Sequence, residues 1–475
     1  MIKVTLLGAG SGFTQPLFTD ILNIEGLDEG VIGLVDIDKA RLDVNVKLIN
    51  RIIGLMGRKG WKVHASTDRT KVLPGTDYLI STIEVSGVQC VRFDNDIPLK
   101  YGISQCIGDT IGPGGVMKAL RTLPPFIEIL ADARRLCPNA LIMNYTNPMS
   151  MMTLGSIRST DQPFVGLCHS VQGSSRQVAG YAGVPYDEMI WRCGGINHMA
   201  WFTQLSHRGK DLYPALRAAM DNPDIYEKDP VRFDFMKHFG YFVTESSGHF
   251  SEYVPYYRKR PELLKKHCRD GYLGGSSFYA NCWPDWRKKT DTARREMAAG
   301  KRDIYLGRGH EYASDIIEGH RFGRTKIIYG SVANTGLIPN LPLSGVVEVA
   351  VVVDTRGYTP TWFGPLPEQC AAMCRSNMAV FELCVQGILA GDREAVIHAM
   401  MVDPLAAAVC SPGEIREMTE ELFAAEKNYI PAWCAAPAAK AKAVRKGKAA
   451  GAKLVPPKKD AATEVSSMAA RNVSG

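Results

Sequence analysis

The chain has 475 residues, 45% hydrophobic and 22% charged, a composition that excludes collagen-like, wholly disordered and disulfide-framework proteins and leaves room for two or three domains. Its net charge of +7 invites a nucleic-acid partner until the charge is located. Between Ala435 and Gly475 stand nine basic residues and two acidic ones, so the whole excess sits in a tail and the body is balanced. We therefore expect no nucleic-acid partner and a solvated, disordered tail over 435–475, where Ala, Lys, Pro and Ser displace the aromatics. No run approaches the roughly 18 apolar residues of a membrane span, which predicts no membrane partner. The start has no signal-peptide layout. The twelve cysteines include no C-x-x-C pair, a pattern expected of free thiols in a reducing cytoplasm.

In chain order, β-branched runs at Ile2–Leu7, Val31–Val35, Tyr78–Ile83, Ala140–Met143 and Phe164–Leu167 predict strands. Amphipathic stretches at Ala40–Gly54 and Pro124–Leu136 predict helices between them. The alternation predicts βαβ units and a mostly parallel sheet, hence an α/β fold. Near Gly194 the texture changes to an aromatic-rich stretch over Phe233–Tyr257, strand-like runs at Lys326–Tyr329 and Val346–Val353, and helical spacing from Glu368 to Ala425.

After the first strand, Gly8-Ala-Gly10-Ser11-Gly12-Phe13 carries the G-x-G spacing that lets a backbone turn tightly beneath a pyrophosphate at a helix N-terminus. Phe13 stands where a third glycine is usual. Asp36 ends the second strand, where a carboxylate accepts hydrogen bonds from an adenosine ribose and disfavours a 2′-phosphate. Together they favour NAD over a merely structural turn. Ligands of open α/β sheets gather at the carboxyl ends of strands, which draws attention to Asn147 and to Cys168-His169. Gly195-Ile-Asn197-His198-Met-Ala-Trp-Phe202 places a polar pair inside an apolar strand-like segment. Cys168 and His198 are suitable donors to a divalent metal, although spacing alone leaves a core cysteine and a structural histidine open. The loop Gly108-Asp109 through Gly115 and the hydroxyl- and acid-rich run Thr244–Tyr257 are further candidates, with no single tyrosine distinguished by position.

The assembled motifs resemble glycoside hydrolase family 4, over essentially Ile2 to Trp433. The carriers are Gly8-Ala-Gly-Ser, Asp109-Thr-Ile-Gly-Pro-Gly-Gly with Ala119-Leu-Arg-Thr, Asn147-Pro-Met, Gly166-Leu-Cys-His-Ser-Val-Gln and Gly195-Ile-Asn-His-Met-Ala. Tyr241-Phe-Val-Thr-Glu-Ser-Ser, Glu311-Tyr-Ala-Ser, Asn340-Leu-Pro, Val347-Glu-Val and Asp403-Pro-Leu continue the match. The tetrapeptide Cys168-His-Ser-Val is similar to that of the α-galactoside-directed members. The resemblance implies a Rossmann-like NAD-binding domain over 1–193, then an α+β catalytic domain of the lactate/malate dehydrogenase-like type over 194–434. It also implies a homodimer or homotetramer acting on a small glycoside.

What the resemblance implies chemically is hydrolysis by transient oxidation at sugar C3, C2 deprotonation, elimination, water addition and re-reduction, with NAD and Mn2+ or another divalent metal. Cys168 and His198 would be the metal ligands, and Gly8, Gly10, Ser11, Gly12 and Asp36 the cofactor-binding residues. Asn147 would bind substrate and Tyr253 would be the base. His169 stands where phosphoglycosidases carry an acid, so it, Asp109 or a metal-bound water would protonate the leaving oxygen. Competing readings are an α-galacturonidase or α-glucuronidase of the same family, a net NAD-dependent 2-hydroxy acid dehydrogenase, and a non-catalytic NAD sensor.

Overall fold

The computed structural model describes residues 1–435; the expected disordered tail lies outside the described residues from 436 onward. Twelve strands form one sheet. They are β1 (Ile2–Leu7), β2 (Glu29–Val35), β3 (Gly60–Ser66), β4 (Tyr78–Ser81), β5 (Leu141–Asn144), β6 (Phe164–Leu167), β7 (Met189–Ile196), β8 (Met199–His207), β9 (Lys210–Asp211), β10 (Lys326–Ala333), β11 (Val346–Asp354) and β12 (Gly357–Pro360). The order is β3-β2-β1-β4-β5-β6-β10-β11-β7-β8-β9, with β12 on β11. The first six are parallel, the doubly wound dinucleotide-binding order; every pair beyond β6 is antiparallel. β4, β5 and β6 are buried at every residue, as expected for strands covered by helices on both faces. The fold is α/β, as expected, with a Rossmann-like parallel core. β7 crosses the boundary expected at residue 193, and the sheet is continuous there.

All twelve cysteines are free, and ten of them are buried. Among the described residues no helix is long and apolar enough to cross a membrane.

One correction concerns Asn197-His198. They do not lie inside a strand: Ile196 pairs with Met199, so the two residues form the tip of the β7–β8 hairpin. His198 there takes φ +63° while Asn197 has no positive φ, so the positive φ falls on the second turn residue, as it does in a type II turn.

The C-terminal helices are tied to the parallel half by a buried charge cluster. Arg121, on the helix Gly112–Leu136, donates to Asp94 Oδ2 at 2.6 Å, Asp94 Oδ1 at 3.1 Å and Glu426 Oε2 at 3.1 Å. Asp94 belongs to the helix Val88–Lys100, and Glu426 follows the helix Pro412–Ala425. Burial raises the Asp94 carboxyl against the opposing pull of Arg121; burial and then Asp94 raise Glu426 further. Carboxyls raised in this way favour the folded state at low pH and lose that contribution as pH climbs through their folded pKa values. Arg121→Met should therefore cost about 3–5 kcal/mol at neutral pH, by stranding two buried acids. The deficit should narrow between pH 7 and pH 5, because protonation of either carboxyl removes a buried charge that Arg121 no longer offsets. Thermal unfolding at the two pH values measures this, and a pH-independent deficit would contradict it.

Candidate active site

The glycine loop joins β1 to the helix Thr14–Leu22. Gly8 takes φ +78°, and a Cβ there would stand 2.6 Å from the Thr82 carbonyl oxygen in the segment after β4. Only glycine allows that approach. The Gly10 amide donates to Asp36 Oδ2 at 2.6 Å, and Ser11 Oγ lies 3.0 Å from Thr82 Oγ1. The helix has no side-chain cap and no acid in its first turn, which leaves its end suited to an anion. Phe13 in place of the third glycine has a use: its ring stacks on the His169 imidazole, centroids 6.1 Å apart and planes 6° apart. These features fit a dinucleotide.

Cys168 follows β6, and His198 crowns the β7–β8 hairpin. Although β10 and β11 lie between those strands in the sheet, Cys168 Sγ and His198 Nε2 are 3.3 Å apart. Glu245 completes the cluster, its Oε2 3.6 Å from His198 Nε2. The three donor atoms all lie within 4.8 Å of one another. His198 Nδ1 is buried without a partner, so Nε2, facing the thiol and the carboxylate, is the nitrogen turned to the cluster. A soft sulfur, an imidazole and a carboxylate converging on one point fit a divalent transition metal. Burial works to raise the Cys168 thiol, but His198 beside it outweighs that and brings it down to about 7, so it yields its proton readily to a metal.

The helix Ser247–Tyr253 supplies the next layer. His249 and Tyr253 are four residues apart and share a face, and Glu245 stands four residues before His249. His249 Nδ1 is 3.0 Å from Glu245 Oε1, and His249 Nε2 is 3.4 Å from Asp109 Oδ1. Tyr272 donates to Glu245 Oε1 at 2.7 Å. The rings of His249 and Tyr253 lie 4.6 Å and 6.1 Å from His198. Asp109 Oδ2 accepts from Lys118 Nζ and from Asn147 Nδ2, each at 3.3 Å, and Lys118 also pairs with Glu84 at 2.9 Å. Burial opposes ionisation of both acids. Lys118 and His249 nevertheless hold Asp109, and His198 and His249 hold Glu245, well below the usual carboxylate range. Burial pushes the Tyr253 phenol well above its ordinary value.

His169 begins the helix Ser170–Ala182, and its Nε2 is 3.0 Å from Glu311 Oε2. Burial would lower the imidazole, but the Glu311 carboxylate raises it to about 9, so it is cationic at neutral pH. Beneath the metal-type cluster, Glu348 on β11 accepts from Asn197 Nδ2 at 3.4 Å, and burial lifts its carboxyl to about 8.

Cys168, His198 and Tyr253 thus meet in one cluster, to which Asn147 is joined through Asp109 and His249, while His169 packs against Phe13 of the glycine loop that Asp36 holds through Gly10. Tyr272 and Lys118 join them without a signal in the sequence, whereas Glu245 and His249 come from the candidate run Thr244–Tyr257 and Glu311 from one of the family motifs. The four-residue ladder Glu245–His249–Tyr253 was the signal available for Glu245 and His249 within that run.

Known proteins show what this arrangement is related to. The family 4 glycosyl hydrolase model matches residues 3–184, and the family 4 C-terminal domain model matches residues 193–406. An alpha-galactosidase of Rhizobium meliloti (strain 1021) is 36% identical over 438 residues, covering 90% of this chain and 89% of its own. An alpha-galactosidase of Bacillus subtilis (strain 168) is 36% identical over 439 residues, 91% of this chain and 99% of its own. Among solved structures, a 6-phospho-alpha-glucosidase from gut microorganisms in complex with NAD and Mn2+ has a TM-score of 0.75 at 21% identity, over 90% of this chain and 99% of that one, and so shares its fold. Matches of this length in both halves establish that the chain belongs to glycosyl hydrolase family 4.

Proposed function

We propose that the protein is an α-galactosidase working with NAD+ and a divalent metal, Mn2+ first among the candidates. The observation that carries this reading is the approach of Cys168 Sγ, His198 Nε2 and Glu245 Oε2 beside an uncapped glycine loop. The alpha-galactosidase relatives support the substrate, and the NAD and Mn2+ complex of the related glucosidase supports the cofactors. Free thiols throughout suit a cytoplasmic enzyme.

Gly8, Gly10, Ser11 and Gly12 would hold the dinucleotide phosphates, and Asp36 the adenosine ribose. Cys168, His198 and Glu245 would hold the metal. The chemistry those groups supply when bound is hydride acceptance and return at sugar C3 and withdrawal of charge from the C2 and C3 oxygens. Within that frame Asn147, anchored on Asp109, orients a sugar hydroxyl. Tyr253, its ring 6.1 Å from that of His198, would take the C2 proton, and a cation held at the cluster would have to offset the burial that raises its phenol. His169, kept cationic by Glu311 and packed against Phe13 and Tyr145, which also touch each other, offers its proton to the glycosidic oxygen. The same imidazolium is the one observation favouring a second substrate, since it suits a uronide carboxylate as well as a leaving oxygen. Rates on matched α-galactoside, α-glucoside and α-galacturonide substrates separate the two.

Three outcomes test the reading. Cleavage of p-nitrophenyl α-galactoside should require NAD+, Mn2+ and a reductant, with no NADH accumulating; undiminished cleavage after nucleotide and metal are stripped would sink it. In D2O the released galactose should carry deuterium at C2, and Tyr253→Phe should lower both that exchange and kcat by about 10²–10⁴-fold. Cys168→Ser should abolish Mn2+ binding measured by electron paramagnetic resonance, and Glu245→Gln should weaken it by at least about tenfold. Wild-type Mn2+ affinity in either variant would remove that residue from the ligand set.

A further inference from the structure

The helix Phe278–Ala298 belongs to the second half of the chain, yet it lies across the glycine loop of the first. Its inward face is set by the spacing Arg287, Asp291 and Arg294, at i, i+4 and i+7, while Asp285, Lys288, Lys289, Thr292 and Arg295 face solvent. Arg294 is the unusual member. Its side chain is only 6% exposed, and Asp291 takes one of its terminal nitrogens. The other, Nη1, is buried with no hydrogen-bond partner. Nη1 is also the nearest heavy atom to Gly12, 3.6 Å from where a Cβ would stand there. Arg41, from the helix Lys39–Leu55, donates to the same Asp291 at 2.9 Å and keeps its own Nε buried and unpartnered. On the other side of the loop, Arg287 Nη1 stands 2.5 Å from a would-be Cβ on Gly87, in the segment after β4.

Burying a guanidinium with an unmet N–H is costly unless a ligand meets it. Here two such groups flank a nine-residue helix whose N-terminus has no side-chain cap. Arg41, Asp291 and Arg294 together carry one positive charge, and the uncapped helix end adds its partial charge. A pyrophosphate diester, with two negative charges and several acceptor oxygens, is the ligand that satisfies this set. We infer that Arg294, supported by Asp291 and Arg41, is a phosphate-binding residue for the dinucleotide, contributed by the second half of the chain and closing over Gly12. The inference rests on the NAD+ reading above and adds a charged contact that the glycine motif does not supply.

Titration calorimetry of NAD+ into the metal-free full chain, repeated at several KCl concentrations, tests it. Arg294→Gln should raise the NAD+ Kd about tenfold or more, as expected for loss of a charge-assisted hydrogen bond. It should also flatten the dependence of Kd on salt, while Mn2+ affinity at the Cys168 site stays at the wild-type value. Arg294→Lys, which keeps the charge, should fall between the two in Kd and retain the wild-type salt dependence; it carries the test if the glutamine variant fails to fold. Wild-type NAD+ affinity and salt dependence in Arg294→Gln would overturn the assignment. So would equal weakening of NAD+ and Mn2+ binding, which marks a structural role. A wild-type chain that binds no NAD+ would overturn the cofactor reading and this assignment with it.

Discussion

Two ionised carboxylates buried within reach of the same imidazole set the terms for everything around them. Asp109 and Glu245 both contact His249, and neither is tolerable in an apolar interior without cations and hydrogen-bond donors arranged about it. Lys118 answers Asp109 from inside the helix Gly112–Leu136, where it is nearly sealed from solvent. Tyr272 and His198 answer Glu245. The loop that carries Asp109 is itself fixed by a third acid, Glu252, whose Oε1 accepts the amides of Cys106, Ile107 and Gly108. Arg258 then clamps that loop from below through Ser104, Ser251 and Gly274. A divalent cation held by Cys168, His198 and Glu245 would add to that compensation and would favour the thiolate form of Cys168.

The same cluster explains why a hydrolase would occupy a dinucleotide fold. The parallel half delivers Cys168, His169 and Asn147 from the carboxyl ends of β5 and β6 to the rim beside the glycine loop. The antiparallel half delivers His198 on a hairpin tip and Glu245 and Tyr253 around one short helix. Neither half holds a complete donor set, so the site exists only where the continuous sheet brings both together.

Much of the parallel half was legible because strands covered on both faces are written as unbroken apolar runs, and the ends of those runs coincide with Asn147 and Cys168. β3 was missed although Trp61-Lys-Val63-His-Ala65-Ser alternates apolar and polar residues: it lies at the edge of the sheet, and with only Trp61 buried it lacks the unbroken apolar run that marks the inner strands. The helix predicted from Pro124 begins at Gly112, because Gly112–Leu123 is buried on all sides and shows no polar face from which periodicity can be read. Asn197-His198 looked like strand interior because apolar residues flank the turn on both sides, with no Asn-Gly or Asp-Gly signal between them. The metal pair was a weak proposition by spacing and became specific only through family resemblance. Glu245 was visible only as one acid of the candidate run Thr244–Tyr257, because its relation to Cys168 and His198 is entirely tertiary.

Backbone strain marks the same boundary between scaffold and site. Among the described residues, five non-glycine residues have positive φ. Arg208 is the ordinary case, beside Gly209 in the tight turn from β8 to β9. The other four are His198 and Glu245 in the metal-type cluster, Ser86 in the segment facing Arg287, and Ser277 at the start of the helix that carries Arg294. A left-handed residue without glycine costs of order 1–2 kcal/mol, and a purely structural turn would relieve that cost by using glycine or asparagine. His198 cannot be replaced in that way without losing its imidazole, nor Glu245 without losing its carboxylate. At those two positions a metal-holding role for the side chain would account for the retained strain.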